Sequence, residues 1–336
     1  MSATDARRAV ARANIPADVH RLAVVTAPDL VATAQEIAPD VVAWCDDARD
    51  AAQLPTGVRH NGLAGLATAL HGAGAVWCDL PRSLGALDEL AGLVARAADP
   101  TVRLVVVARH ADLTHSMNEV LARHFTQVRG SLGVGKRRAL LADAPVWPAA
   151  PDPWPKVRHL DDLDLDVWAH GATFAGTRCD PGTRLLVDHL DDVPRGDVLD
   201  FGCGSGILAT LLARRTGQDP ARVLALDVLA TSVDATRRTA AGLALQTLWA
   251  DGTATLAPDS LNAIVTNPPF HAGVAKDSSA TLAMFADAAR VLRPGGELWA
   301  VYNSHLPWKA RLSALVGPTR LVAQTPRYTL VAATRR

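Results

Sequence analysis

The sequence predicts an α/β protein of two tandem domains, each an open, mostly parallel sheet with helices on both faces. Three observations carry that prediction. Strand and helix patterns alternate through the second half of the chain. The same rhythm recurs more faintly in the first half. A proline-rich stretch separates the two. With 336 residues the chain is long enough for two domains, and its 49% hydrophobic and 20% charged residues are ordinary for a globular protein.

In chain order, "RLAVVTA", "DVVAWCD", "AVWCDLP" and "RLVVVARH" read as strands of the first half, with helical stretches between them. "PVWPAAPDPWP" (145–155) holds five prolines and predicts a semi-rigid extended connector rather than packed helix or sheet. The expected organisation is therefore a first domain over 1–144, a linker over 145–155 and a second domain over 156–336. In the second half "DVLDFG" is a strand ending in glycine and "ILATLLARRTG" a helix with a glycine stop. "RVLALDV" is a strand ending at Asp227, and "TSVDATRRTAAGLAL" is a helix. "LNAIVTN" is a strand, "TLAMFADAARVLRPGG" a helix leaving through Pro-Gly-Gly, and "GELWAVYN" a strand. "TRLVAQTPRYTLVAATRR" closes the sheet as an antiparallel hairpin. "DELAGLVARAADPTVRLVVVARH" parallels "AMFADAARVLRPGGELWAVYNSH": in both, a helix stops at a proline (Pro100, Pro294) and a strand runs to a histidine (His110, His305). That correspondence suggests an internal duplication.

Several classes are disfavoured by composition. Net charge is zero, so contact with nucleic acid would have to come from local patches. Cys45, Cys78, Cys179 and Cys203 form no C-x-x-C pair and have no histidine at zinc-finger spacing, which argues against a structural zinc site or a disulfide scaffold. Reduced thiols fit a cytoplasmic protein. The opening residues lack the apolar core of a signal peptide, and no apolar run reaches the ~20 residues of a membrane helix.

Two motifs carry chemistry. "LDFGCGSGIL" places Gly202, Gly204 and Gly206 directly after a strand and before a helix, where open α/β sheets bind ligands. Ile207 stands where a dinucleotide fingerprint needs its third glycine, so the loop is G-x-G-x-G preceded by Asp200. Such a loop suits an adenosyl group with an amino-acid tail better than a pyrophosphate. Asp227, at the end of the next strand, is placed to accept from a ribose diol, and Asp251 in "WADGTA" to meet an adenine amino group; a turn or cap would also account for either. The second motif is "NPPF". By itself it could be a stiff loop. On the same rim as the glycines, Asn267 and Pro268 present two acceptors to a planar amine, held rigid with Pro269, and Phe270 can stack on the ring.

With "DFGCGSG", Asp227 and "NPPF" in that order, the sequence resembles the class I S-adenosylmethionine-dependent N-methyltransferases. More narrowly it resembles the bacterial ribosomal RNA (guanine-N2)-methyltransferases. The likeness extends to "TFAGTRCDPGTRLL", "LPRSL" and "VGKRRALL". It implies two tandem Rossmann-like methyltransferase domains, the second with a seven-stranded, mostly parallel sheet ending in an antiparallel hairpin, the first a degenerate copy that helps hold RNA. The first half has no G-x-G-x-G, and Asp79-Leu80-Pro81 stands where the second half has "NPPF". The resemblance further implies that S-adenosyl-L-methionine is held by Asp200, Gly202, Gly204, Gly206, Asp227 and Asp251, with Phe174 and Asp180 lining its mouth. Asn267, Pro268, Pro269 and Phe270 would take a guanine amino group of ribosomal RNA. No metal is implied. Arg178 departs from the glycine usual in the family.

Lys136, Arg137 and Arg138 are the candidate RNA contacts, although a charged strand edge would give the same cluster. Trp147 and Trp154 suit either base stacking or packing between domains, and His271 follows Phe270 without a clear role. Two other classes remain open: methylation of another planar amine, a protein glutamine or a DNA adenine, and a non-catalytic RNA-binding assembly protein.

Overall fold

In the computed structural model of this chain, the residues described are 2–146, 153–216, 222–268 and 275–336. They fall into two compact units, Met1–Lys156 with His170–Ala172, and Val157–Ala169 with Thr173–Arg336. The first holds strands β1 (Arg21–Val25), β2 (Asp40–Trp44), β3 (Arg59–His60), β4 (Ala75–Asp79), β5 (Arg103–Arg109), β6 (Phe125–Gly130) and β7 (Arg137–Pro145). They are followed by β8 (Lys156–Leu160) and β9 (Leu165–Ala169), which pair as a ribbon of their own. The second unit's sheet contains β10 (Val198–Phe201), β11 (Val223–Asp227), β12 (Gln246–Trp249), β13 (Leu261–Thr266), β14 (Leu292–Asn303), β15 (Thr319–Gln324) and β16 (Tyr328–Thr334).

Both sheets are seven-stranded and have the same order: β3-β2-β1-β4-β5-β7-β6 in the first, β12-β11-β10-β13-β14-β16-β15 in the second. The first five strands of each run parallel, and the last two join through antiparallel pairings, β7 or β16 alone running against the rest, as the closing antiparallel hairpin read from the sequence requires. Asp79, closing β4, therefore holds the position in its sheet that Thr266-Asn267 holds after β13.

The central strands of the second sheet are buried on both faces, which is why they read as continuous apolar runs. Alternate residues go to opposite sides. Leu199, Leu224, Ile264, Leu298 and Ala300 face Phe285, Val291 and Trp308. Val198, Val223, Ala263, Val265 and Trp299 face Leu186, Leu208 and Leu212. Phe285 and Trp308 meet edge to face at 5.7 Å. Each fully buried Val, Leu, Ile or Phe among them contributes roughly 1.5–3 kcal/mol. These two faces fix the register that brings β10, β11 and β13 to a common rim.

The structure corrects several boundaries. The helix read over 231–245 is Ala230–Thr239, and Gly242, at φ +82°, lies in the turn beyond it. The helix read up to Pro294 ends at Val291, and β14 starts at Leu292 rather than at Gly296. The residue before a proline disfavours the helical region, so the helix stops short of Arg293. β7 continues through Pro145, which pairs with Phe125. Trp154 donates its indole N–H to Asp88 at 3.1 Å, within the first unit. Trp147 lies outside the described residues. No helix among the described residues is long and apolar enough to cross a membrane.

Candidate active site

The glycine loop leaves β10 and enters the helix Ile207–Thr216. Gly202 and Cys203 donate their N–H groups to Leu226 O at 2.8 and 3.0 Å, which ties the loop to the end of β11. Gly202 and Gly204 have φ of +80° and +54°, and a Cβ on either would meet nothing within 4 Å. Their outer side is thus a cleared backbone surface, the kind a ligand approaches closely. Gly206 differs. At φ +80° its missing Cβ would stand 2.7 Å from Thr236 Cα, so this glycine is required by close packing against the helix Ala230–Thr239. Cys203, buried, receives the Thr236 hydroxyl at 3.1 Å.

Two carboxylates lie beneath and beside the loop. Asp200 is 1% exposed and accepts from Ala209 N at 3.0 Å. Burial, reinforced by the charge of Asp227, pushes its carboxyl up to about 7. Asp227 accepts from Gly204 N at 3.0 Å through one oxygen and from Leu229 N at 2.9 Å through the other. It joins the loop to the start of the next helix at the end of β11. Ala250 N donates to Asp227 O at 3.1 Å, which brings the turn after β12 alongside, with Asp251 exposed in it. Phe174 is 55% exposed in the turn preceding Asp180.

Asn267 follows β13. The Thr266 hydroxyl donates to Phe201 O at 2.8 Å, so the end of β13 is fastened to the end of β10 where the glycine loop begins. Asn267 Nδ2 donates to Asp180 Oδ2 at 3.1 Å and to Thr183 Oγ1 at 3.0 Å. Asp180 is the N-cap of the helix Pro181–Val187, with Pro181 in its first turn, and its Oδ2 also accepts from Gly182 N at 2.8 Å and Thr183 N at 3.3 Å. A Cβ at Gly182 would stand 3.3 Å from the Asn267 amide, so glycine leaves that group room against the helix end. With both amide protons engaged by acceptors, Oδ1 is the end left to receive a donor. Pro268, buried, adds a carbonyl and no N–H. Pro269, Phe270 and His271 lie outside the described residues.

Sequence reasoning placed Asp180 near the cofactor and missed Thr183 altogether. The signal for both was there: Asp-Pro-Gly-Thr is a cap residue, a proline at the first helical position and a hydroxyl two residues on.

The corresponding rim of the first unit is built differently. β1 leads into Thr26, at φ +52°, with no glycine loop. Arg7, on the helix Ala3–Ala13, reaches Asp29 at 2.6 Å and Asp79 at 2.5 Å and is itself 13% exposed. Burial raises Asp79 to about 6, against the opposing pull of Arg7. Lys136, Arg137 and Arg138 belong to this unit, at the turn into β7. Among the described residues no His/Cys/Asp/Glu group has the arrangement of a metal site.

Residues 164–332 match the family model of the methyltransferase small domain. A ribosomal RNA small subunit methyltransferase C of Pseudomonas paraeruginosa is 41% identical over 178 residues, 52% of this chain and 53% of the relative. The chain thus spans about half the length of that curated relative. A ribosomal RNA large subunit methyltransferase G of Streptomyces avermitilis is 30% identical over 268 residues, 76% of this chain and 70% of the relative. Among solved structures, the T. thermophilus 16S ribosomal RNA N2 G1207 methyltransferase in complex with AdoMet and guanosine superposes with a TM-score of 0.79. It covers 98% of this chain and 92% of its own at 22% identity, a likeness of fold.

Proposed function

This chain belongs to the methyltransferase small domain family, and from that premise we propose that it transfers a methyl group from S-adenosyl-L-methionine to N2 of a guanine in ribosomal RNA. The observation that carries the reading is the Asn267 amide, whose nitrogen is held by Asp180 and Thr183 while its oxygen is left to accept. The cofactor's residues fit it. Gly202 and Gly204 offer a backbone surface that a Cβ would obstruct, Asp227 stands at the end of β11 for a ribose diol, Asp251 lies in the adjoining turn for adenine, and Asp200 lies buried beneath the loop, bonded to the helix that follows it. S-adenosyl-L-methionine, when bound, supplies an electrophilic methyl on a sulfonium.

The chain's own residues do the rest. Asn267 Oδ1 and the Pro268 carbonyl accept the two protons of the guanine amino group. That draws its lone pair out of conjugation with the ring and aims it across the rim toward the glycine loop. When the nitrogen gains the methyl it becomes a cationic amine, acidic enough to release its proton to water, so no strong base is required. Catalysis is by positioning and modest electrostatics. The guanine has to leave its stack to reach such a site. The first unit, lacking the glycine loop, serves to hold RNA, and the enzyme works in the cytoplasm.

The test is direct. The purified chain is incubated with methyl-labelled cofactor and unmodified ribosomal RNA, which is then digested to nucleosides and analysed by mass. N2-methylguanosine at one position is expected, and Asn267→Ala should abolish it while cofactor affinity stays within a few-fold. Methyladenosine, methylglutamine in a protein fraction, or no product from a chain that binds the cofactor would each refute the assignment.

A further inference from the structure

At the carboxyl ends of the first unit's parallel strands lies a cavity of about 370 Å³, lined by His110, Thr114, His115, Asn118, Arg138 and Leu140 among others. That is within the ~300–1,000 Å³ of pockets that take small planar ligands. Its wall is built with care for one cation. Arg138 Nε donates to Ser131 O at 2.7 Å, and the guanidinium lies on Gly130, where a Cβ would stand 2.7 Å from Nη2. Glycine at 130 therefore lets the guanidinium settle flat against β6, as a fixed planar surface. Beside it, in the turn from β6 to β7, Leu132 is 92% exposed, the most exposed of the chain's large hydrophobic side chains among the described residues. Lys136 closes the turn, its carbonyl accepting from His110 N at 2.9 Å.

The charges are distributed selectively. Arg103 and Arg129 pair with Asp143, and Arg109 pairs with Asp112. Lys136, Arg137 and Arg138 form no ion pair with any described residue. The corner thus combines three cations outside any close ion pair, of which Arg137 alone feels a carboxylate, that of Asp79, with a flat guanidinium, amide and hydroxyl groups inside a base-sized cavity, and an apolar side chain standing in water beside it. An acidic peptide would use the cations but not the exposed leucine. A single-stranded nucleic acid uses all of it, since phosphates meet cations and bases stack on guanidinium planes and apolar wedges.

We propose that this cavity in the first unit binds one unstacked nucleotide of the substrate RNA, with its base on Arg138, while Leu132 in the exposed turn outside the cavity meets a neighbouring base and Lys136 and Arg137 take the flanking phosphates. The proposal rests on the reading of the chain as an RNA methyltransferase, but it has a separate measurement.

The probe is a fluorescein-labelled single-stranded RNA ten-mer of mixed sequence, and a matched ten-mer with abasic residues, followed by anisotropy on the full chain. Leu132→Ala and Arg138→Gln are each expected to weaken binding of the intact RNA 5- to 10-fold, with S-adenosyl-L-methionine affinity unchanged. Leu132→Ala should cost nothing further on the abasic RNA. Lys136→Ala should lower the slope of log affinity against log salt by about 0.7, the increment of one phosphate contact on a single strand, and Leu132→Ala should leave the slope alone. Leu132 bears no packing, so its substitution folds like the wild type and keeps the test decisive. Weakened RNA binding supports the cavity whether or not methyl transfer to the probe is seen. Wild-type RNA affinity in both Leu132→Ala and Arg138→Gln overturns it even if the chain methylates ribosomal RNA. So does a defect confined to whole ribosomal particles, which would assign this surface to a protein partner.

Discussion

At Thr183 one hydroxyl helps decide which end of an amide faces the substrate. A terminal amide can turn over about its last torsion and exchange oxygen for nitrogen. Asn267 is held in one sense because a carboxylate and a hydroxyl both accept from its nitrogen. A net side-chain hydrogen bond contributes about 0.5–1.5 kcal/mol. Thr183→Val should therefore lower kcat by roughly 3- to 10-fold through loss of the productive orientation. The KM for RNA and the affinity for S-adenosyl-L-methionine should stay within twofold, and Thr183→Ser should restore the rate. Steady-state kinetics with a cofactor titration checks this; a change confined to cofactor affinity would place Thr183 elsewhere in the site. Asp180 would be a poorer probe, because it also caps its helix and its loss mixes in about 1 kcal/mol of helix stability. The limits of sequence reading show here. Asp-Pro-Gly-Thr announces a helix start on its own, but the bond from Asn267 to Thr183 joins residues 84 apart and exists only once the sheet has formed.

At the scale of elements, the glycine loop joins two requirements that the sequence pattern alone does not separate. Gly204 has the left-handed φ with open space beyond it, whereas Gly206 has it with the backbone of Thr236 in the way. Gly204→Ala should cost about 1–2 kcal/mol for the left-handed conformation and reduce cofactor affinity at least tenfold, because the new methyl enters the cleared side. Gly206→Ala carries the same conformational cost plus a collision that only displacement of the helix Ala230–Thr239 can relieve, so its melting temperature should fall further. Thermal melts and calorimetry of the two variants check the ranking, and a Gly204→Ala protein less stable than Gly206→Ala would reverse the assignment. The parallel strands were legible because burial on both faces leaves runs such as "RVLALDV" no polar alternation. The helix Trp308–Leu315 was not legible: it buries Trp308 and Leu312 on an otherwise mixed surface and has too weak a periodicity to stand out. The ribbon strand Lys156–Leu160 is largely exposed and offers no apolar pattern at all. The helix Ala3–Ala13 buries mainly small residues, Ala6, Val10 and Ala11, so its inward face is faint beside its arginines.

Over the whole molecule, two sheets share one strand order while their rims are built differently. In the second unit the rim is cleared by glycines and carries buried negative charge. In the first, the place where a cationic ligand would be expected holds Arg7, between the carboxylates of Asp29 and Asp79. An arginine from the chain itself thus occupies this rim, and the first unit should bind no cofactor. Titration calorimetry should give one S-adenosyl-L-methionine per chain, in the wild type and in Arg7→Ala alike. Arg7→Ala should nonetheless be less stable, because Asp79 loses its counter-ion. The cost is about 1–2 kcal/mol, less than for a fully buried charge, because the Asp79 side chain is 38% exposed and water screens it. It should also depend on pH with a definite sign. An Asp79 carboxyl raised to about 6 when folded is ionised at a lower pH when unfolded, so stability is lost as pH rises through that interval, and Arg7 opposes the loss. Urea unfolding should therefore show the defect fully at pH 8 and much reduced at pH 5, where protonated Asp79 needs no partner. A defect of equal size at both values would mean that Arg7 stabilises through Asp29 or through packing and not through Asp79, and a second cofactor bound by Arg7→Ala would show that the first unit can still bind it.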